Sequence, residues 1–383
     1  MTFDTITIII GCVLLLLAVA AVLSDTLLRL PDLSDDAEAE EADSDSLPGF
    51  SIVMSVHDKM NETERNLPHF LEQAYNGPYE VIVVDESSTD DTEDILTRLK
   101  AQYKHLYTTF IPESSHYLSR RKLALTVGVK AARYEWVVFT DADCRPASDQ
   151  WLKALSRHIL SSPDKDIMMG YTPYDGEASS YERFDRMTTW IRQARQTRGT
   201  AYAYCGHALA FRKELFMDHD GFLGNLKYLR GEYDFTVNEY ALPGNTIALS
   251  EPDCRLVQDA PWRKTWINEH LYQIETTRHL DRRTGYHLPH LISNLLLHVS
   301  LLASLAAAAV AAILGQWIVL AAACLSLLLM LVMRMVIGHR ATKAMGESLP
   351  AWKLPMMELS ELWRYAALRI RHAKSDPYDF IRR

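Results

Sequence analysis

The chain has 383 residues, 48% hydrophobic and 23% charged, a mixture that excludes a wholly disordered protein. Its 40 basic residues face 49 acidic ones, a net charge of −9, which excludes a general nucleic-acid binder with its basic excess. The charges are also segregated. Thr5 to Ser24, Leu291 to Leu314 and Trp317 to Met333 carry none, over 20, 24 and 17 residues. The first two are long enough to cross a hydrocarbon layer of about 30 Å as helices. The third borders Arg334, whose long side chain can snorkel, so it qualifies as well. The pattern is that of an integral membrane protein with a soluble middle.

Taken in chain order, the first span follows Asp4 and has no Lys or Arg before it, so an uncleaved anchor over 1–28 is expected rather than a signal peptide. Asp32 to Ser46 then holds eight acidic residues and no basic one. Such a run cannot bury a core, and 29–49 is expected to be a disordered tether. From Phe50 the pattern turns globular. Apolar runs at Phe50–Val56, Tyr79–Asp85, Leu106–Ile111 and Trp136–Asp141 read as buried strands. Helical patterns separate them, through Leu67–Leu71, over about 89–103 and over about 117–132. Strands alternating with helices predict an α/β fold with a parallel sheet covered on both faces. Ligands of such sheets bind beyond the carboxyl ends of the strands, where Asp85 and Asp141 fall.

The last two spans form a hairpin over 287–338, because the turn Gly315-Gln316 is uncharged. Arg334, Arg340 and Lys343 follow, then Arg364, Arg369, Arg371 and Lys374. With Arg29 after the first span, the positive-inside tendency predicts a cytoplasmic middle and a cytoplasmic basic tail over 339–383. From Glu358 to Lys374 apolar and basic residues interleave as in an interfacial amphipathic helix. The five cysteines, 12, 144, 205, 254 and 324, show no CxxC spacing, and no structural disulfide is expected.

Two segments carry chemistry. Asp85-Glu86-Ser87-Ser88-Thr89 follows a buried strand, and since Ser88 or Thr89 can cap the next helix, Asp85 is left to accept from a base or ribose. Asp141-Ala142-Asp143 sets two carboxylates beside each other at a strand end, where they repel unless a cation binds; oxygen ligands there suit Mg2+ or Mn2+ shared with phosphates.

Together these segments resemble the inverting family 2 glycosyltransferases of GT-A fold, over Phe50 to about Tyr286. Ser51 to Asp58 is similar to that family's opening strand and nucleotide-contacting loop, Val84 to Asp90 to its acidic nucleotide motif, and Asp141-Ala142-Asp143 to its DxD. Arg121-Lys122 and Gly128 fit the basic helix before the DxD. Cys205 to Phe216 resembles the glycine-led acceptor-side segment, Gly231 to Phe235 the acidic catalytic motif, and Glu275 to His279 the late motif near the membrane. The resemblance implies Ser55, His57, Asp85, Lys122, Asp141 and Arg278 as nucleotide-sugar contacts, Gly206 and His207 on the acceptor side, and Asp141 and Asp143 as ligands of Mn2+ or Mg2+.

Inverting transfer also needs a carboxylate that takes the proton of the acceptor hydroxyl. Glu232 aligns with the family's base, and Asp234 is the second candidate; on a helix, positions i and i+2 diverge, so one of them faces the sugar. The basic cluster Arg278, His279, Arg282 and Arg283 reads as a membrane anchor and as a holder of diphosphate. The implied partners are a UDP- or GDP-linked sugar donor, a lipid-linked or glycan acceptor, the inner membrane, other envelope-glycan assembly proteins, and no nucleic acid.

Two other functions compete. A nucleotidyltransferase would show a Gly-rich loop after the first strand, and 54–64 has no glycine. A non-catalytic membrane scaffold of the same fold is separated by donor hydrolysis with Mn2+. Three spans with few polar groups offer no lumen for a growing polymer, so the expected enzyme is distributive.

Overall fold

The computed structural model describes residues 5–30, 47–112 and 119–380, with the side chains of 283 and 284 excepted. The acidic tether over 32–46 and the first residues of the helix expected from 117 lie outside the described residues. The described chain divides into two compact units. One joins residues 1–30 to 282–367, and the other joins 31–281 to 368–383.

The larger unit is built on a seven-stranded sheet. Strands β1 (Phe50–Val56), β2 (Tyr79–Asp85), β3 (Leu106–Phe110) and β4 (Trp136–Asp141) run parallel in the order β3-β2-β1-β4. Every residue of β1 and β4 is buried, as a parallel sheet with helices on both faces requires. Helices α2 (Met60–Leu71), α3 (Thr92–Gln102) and α4 (Arg120–Ala131) make the connections. In α4 a Cβ at Gly128 would overlap Val53, so the missing side chain lets the helix lie close on β1. That close approach sets where the first turn of α4 points.

Beyond β4 the sheet departs from the all-parallel expectation. After the short β5 (Cys144–Pro146) and α5 (Trp151–Ser161) comes β6 (Ile167–Gly170), and then α6 (Ser180–Gln196) leads to β7 (Leu209–Arg212). Strand β7 runs antiparallel to both β4 and β6, and β8 (Thr246–Leu249) adds parallel to β6. Helices α7 (Lys213–Asp218) and α8 (Glu232–Tyr240) precede β8. Strand β9 (Leu256–Gln258) pairs with β5, and α9 (Arg263–Thr276) ends the run. Periodicity alone could not supply the direction of β7, because alternation does not encode orientation.

The smaller unit packs α1 (Thr5–Leu23), α10 (Arg283–Leu314) and α11 (Trp317–Ala344), three helices long and apolar enough to cross a membrane. Ala18, Ala21, Leu297 and Met330 fill its interior, Ser304 and Ser326 share a hydrogen bond of 2.9 Å, and Ser326 donates to the Leu14 carbonyl at 3.0 Å. Helix α12 (Leu354–Lys374) follows. Arg334 of α11 is buried between Asp25 and Glu358, at 3.7 and 2.7 Å, and donates to the Ala21 carbonyl at 2.8 Å. It packs inside the bundle and does not snorkel to an interface.

Candidate active site

The carboxyl ends of β1 and β4 meet in register, Ser55 opposite Asp141, and open on a cleft of about 660 Å³. Ser55, His57, Lys59, Glu86, Asp141 and Asp143 are among the residues that line it. Glu232 and Asp234 enter from the first turn of α8. Gly231 makes that possible: its φ of +91° is a left-handed value few side chains tolerate, and a Cβ there would overlap the Thr276 side chain.

Arg121, in the first turn of α4, joins the two acidic motifs. Its guanidinium is ion-paired with Asp141 and with Glu232. Asp141 also takes the Tyr233 hydroxyl at 3.1 Å and His207 Nδ1 at 2.6 Å. Burial alone would raise Asp141, but Arg121 and His207 outweigh it and hold the carboxylate well below the usual range. Three donors, Arg121 and Tyr233 on Oδ1 and His207 on Oδ2, thus meet this carboxylate.

Asp143 is differently placed. One oxygen accepts from the Gln258 amide at 3.2 Å, and the other meets only the Cys144 thiol at 3.7 Å. The turn that carries it is clamped: the Asn66 amide donates to the Ala142 carbonyl at 2.9 Å, and the Asp259 amide to the Asp143 carbonyl at 2.8 Å. Lys59, across the cleft, stays protonated because Asp143 and Glu62 offset the cost of its burial. An exposed-facing carboxylate with a spare oxygen fits a divalent cation that completes its shell from substrate phosphates. Asp143 fits that role, and Asp141, bonded to Arg121, His207 and Tyr233, stands beside it in the cleft.

The two carboxylates of α8 differ as well. Glu232 Oε1 pairs with Arg121, and Oε2 has no hydrogen-bond partner among the described residues. Burial, with Glu232 adding like charge, pushes Asp234 up to about 8, so at neutral pH it carries a proton. A protonated acid does not accept the proton of an incoming hydroxyl.

Ser55, His57, Asp141, Asp143, His207, Glu232 and Asp234 therefore share one cleft. Other expected residues do not reach it. Asp85 is not free, since its carboxylate accepts from the Ser88 hydroxyl at 2.6 Å and the Ser88 amide at 3.1 Å. The expected division of labour is reversed here. Asp90 takes the Thr92 amide and hydroxyl at the start of α3, and Asp85 closes its own turn. Lys122 is fully buried, donates to the Asn225 carbonyl at 2.8 Å and lies 4.5 Å from the Phe235 ring centre; desolvation lowers it to about 7. Gly206 packs against Tyr204. Arg278 pairs at the surface with Glu275, at 3.3 Å, and the side chain of Arg283 lies outside the described residues.

Arg121 carried a signal in the sequence, as Lys122's neighbour in a basic helix, but a helix places adjacent residues on different faces, and only packing selects between them. Tyr233, between the two acids, had none. A second grouping of metal-capable side chains, His158, Glu251 and Cys254, lies elsewhere, and none of the three lines the cleft.

Residues 51–220 match glycosyl transferase family 2. Over 146 residues the chain is 26% identical to glycosyltransferase AglE of Haloferax volcanii, a stretch that is 37% of this chain and 46% of that one. The chain thus spans about half the length of the curated relative it matches. Among solved structures, the mannosyltransferase PcManGT from Pyrobaculum calidifontis, in complex with GDP-Man and Mn2+, is similar with a TM-score of 0.55. Identity is 19%, and the similarity covers 97% of this chain and 98% of that one. At that identity the likeness carries the fold, which is GT-A.

Proposed function

Because residues 51–220 are a glycosyl transferase family 2 domain, we propose that this chain moves a sugar, with inversion, from a nucleoside-diphosphate donor to a lipid-linked or glycan acceptor. The observation that carries it is the convergence of Asp143, Asp141 and Glu232 on one cleft at the carboxyl ends of β1 and β4. The nucleotide binds beside Ser55 and His57. GDP-mannose is the first donor to try, since the GT-A relative of known structure was solved with it.

Asp143 is the ligand for a divalent cation, which when bound neutralises charge on the departing diphosphate. Arg230, half-exposed in the same cleft, adds positive charge beside it. Glu232 is the base: its Oε2, without a hydrogen-bond partner among the described residues, receives the acceptor proton, and the ion pair to Arg121 keeps the carboxylate aimed. Asp234, protonated at neutral pH, serves as support.

Three apolar helices long enough to cross a membrane anchor the enzyme, and the basic residues after α11 favour the cytoplasmic face for the catalytic unit. The closely packed Ala18, Ala21, Leu297 and Met330, with Ser304 bonded to Ser326, favour distributive transfer over polymer extrusion. The test is release of GDP from GDP-mannose by the full-length protein with Mn2+ and with EDTA, repeated for other nucleotide sugars. Metal-independent release, or full activity of Asp143→Ala, refutes the metal assignment; no donor bound or hydrolysed refutes the transferase.

A further inference from the structure

Strand β9 sets an amide against the carboxylate assigned to the metal. Leu256 and Gln258 are its buried positions, with the partly buried Val257 between them. A buried amide is costly unless its polar atoms are bonded. Here both ends are. Gln258 Nε2 donates to Asp143 Oδ2 at 3.2 Å, and Gln258 Oε1 accepts from the Arg186 guanidinium at 3.0 Å. The two partners fix which way the amide is turned, since a guanidinium only donates and a carboxylate only accepts.

The backbone around Gln258 is held as firmly. Its N–H donates to the Pro173 carbonyl at 2.9 Å, its carbonyl accepts from the Asp175 amide at 2.8 Å, and it stands opposite Cys144 in the β5–β9 ladder. The next residue, Asp259, is the one whose amide meets the Asp143 carbonyl, and its carboxylate accepts from Arg145 at 2.8 Å and Asn66 at 2.9 Å. Arg186 is buried on α6, 4.3 Å from the centre of the Tyr174 ring. It also donates to the Cys205 carbonyl at 3.2 Å and to the Tyr174 hydroxyl oxygen. The amide that meets Asp143 is therefore fixed from two sides, by the β9 backbone and by Arg186.

We infer that Gln258 is a positioning residue for the metal carboxylate, and that Arg186 keeps the donating end of its amide turned to Asp143. Gln258 is not itself a ligand, because the Oε1 that could bind a cation faces Arg186. The inference rests on the transferase reading above, with Asp143 as the cation's ligand. With Oδ2 held by the amide, the Asp143 carboxylate keeps one orientation. Oδ1, which has the Cys144 thiol at 3.7 Å, is left to a cation. Outer-shell hydrogen bonds of this kind aim a ligand, and losing one costs about 10–100-fold in metal affinity. Gln258 lies 115 residues along the chain from Asp143, so only the β5–β9 pairing brings them together.

The experiment titrates Mn2+ into full-length protein in micelles with GDP, and in parallel with UDP, and reads free Mn2+ by electron paramagnetic resonance. Gln258→Met keeps the length of the side chain and removes both amide bonds. It should raise the Mn2+ Kd about tenfold, with nucleotide affinity in EDTA within about twofold of the parent. Arg186→Lys keeps the charge and loses the planar fork, so it should raise the Mn2+ Kd by a smaller factor. It is the variant to read where the unfolding midpoint shows Gln258→Met unfolded. Asp143→Ala sets the scale of full loss. Parent-like Mn2+ binding in the folded variants overturns the positioning role alone. So does a loss in Gln258→Met as large as in Asp143→Ala, which would make Gln258 a ligand, or an equal loss of nucleotide affinity in EDTA, which would mark general packing damage. Mn2+ binding unchanged by Asp143→Ala, or no nucleotide bound by the parent, overturns the reading beneath it.

Discussion

The larger unit and the helical unit each bury one arginine between two carboxylates, and the two sets behave differently. Arg121 holds Asp141 and Glu232, and Arg334 holds Asp25 and Glu358. Side-chain exposure separates the arginines, 16% for Arg121 against 4% for Arg334, and not the glutamates, 5% for Glu232 against 7% for Glu358. The first lines a cleft, while in both sets a glutamate oxygen, Glu232 Oε2 and Glu358 Oε1, has no hydrogen-bond partner among the described residues. Arg334 also donates to the Ala21 carbonyl and to Ser293, and burial with Asp25 beside it pushes Glu358 up to about 8, so one carboxyl holds a proton. One ion set is therefore a clamp tying α11 to α12 and the end of α1. The other sets Arg121, Asp141 and Glu232 along the lining of a cleft. The same three charges become structure or chemistry according to access.

The comparison predicts opposite outcomes for matched variants. Glu232→Gln should cut turnover by roughly two to four orders of magnitude with donor binding retained, since only proton transfer in the transition state is lost. Glu358→Gln should leave turnover within about twofold. Steady-state rates and donor titration on the two proteins check this, and equal losses would erase the distinction.

Stability should respond the other way round. Arg334→Met strands two buried carboxyls, and a loss of about 3–5 kcal/mol is expected for the helical unit. Arg121→Met, whose partners reach the cleft and its water, should cost less stability and more activity. Denaturant unfolding in mixed micelles, followed beside GDP release, ranks the two.

The pH response should have one sign in both units. Glu358 and Asp234 each rise to about 8 in the folded protein, from ordinary values of 4.5 and 3.8. A raised folded pKa contributes stability that is whole below the unfolded value and lost as pH climbs through the folded one. Unfolding temperatures should thus fall between about pH 5 and pH 9, and Glu358→Gln and Asp234→Asn should each flatten part of the fall. A midpoint that climbs over that range in the parent protein contradicts both shifts.

Arg278→Ala should do least. Its pair with Glu275 is more than half exposed on the arginine side, and such pairs are worth about 0–1 kcal/mol. A change in donor KM beyond about threefold would return Arg278 to the nucleotide site.

Much of this was legible in the residues themselves. The parallel strands β1 to β4 show as apolar runs, and the three membrane-length helices show as uncharged ones, because burial on both faces leaves no polar alternation to obscure either. The DxD turn and the Gly231-Glu232 start of α8 are short segments whose geometry is set by their own residues. Around Asp85 the ambiguity is local: Asp and Ser compete for the same turn bonds, and the sequence offers both Asp85 and Asp90 for them. The long apolar stretch around Arg334 suggested snorkelling, since its buried partner Glu358 lies in a segment that also reads as an interfacial helix.

The sequence by itself determined the strand ends, the acidic motifs and the membrane-length spans, because each depends on residues close together in the chain. Only the tertiary structure decided that Arg121 and not Lys122 meets the acids, that β7 runs antiparallel, and that the Gln258 amide meets Asp143. Each of these turns on which way a side chain or strand faces once helices have packed on the sheet. That direction belongs to the contacts between distant segments, and no local pattern carries it.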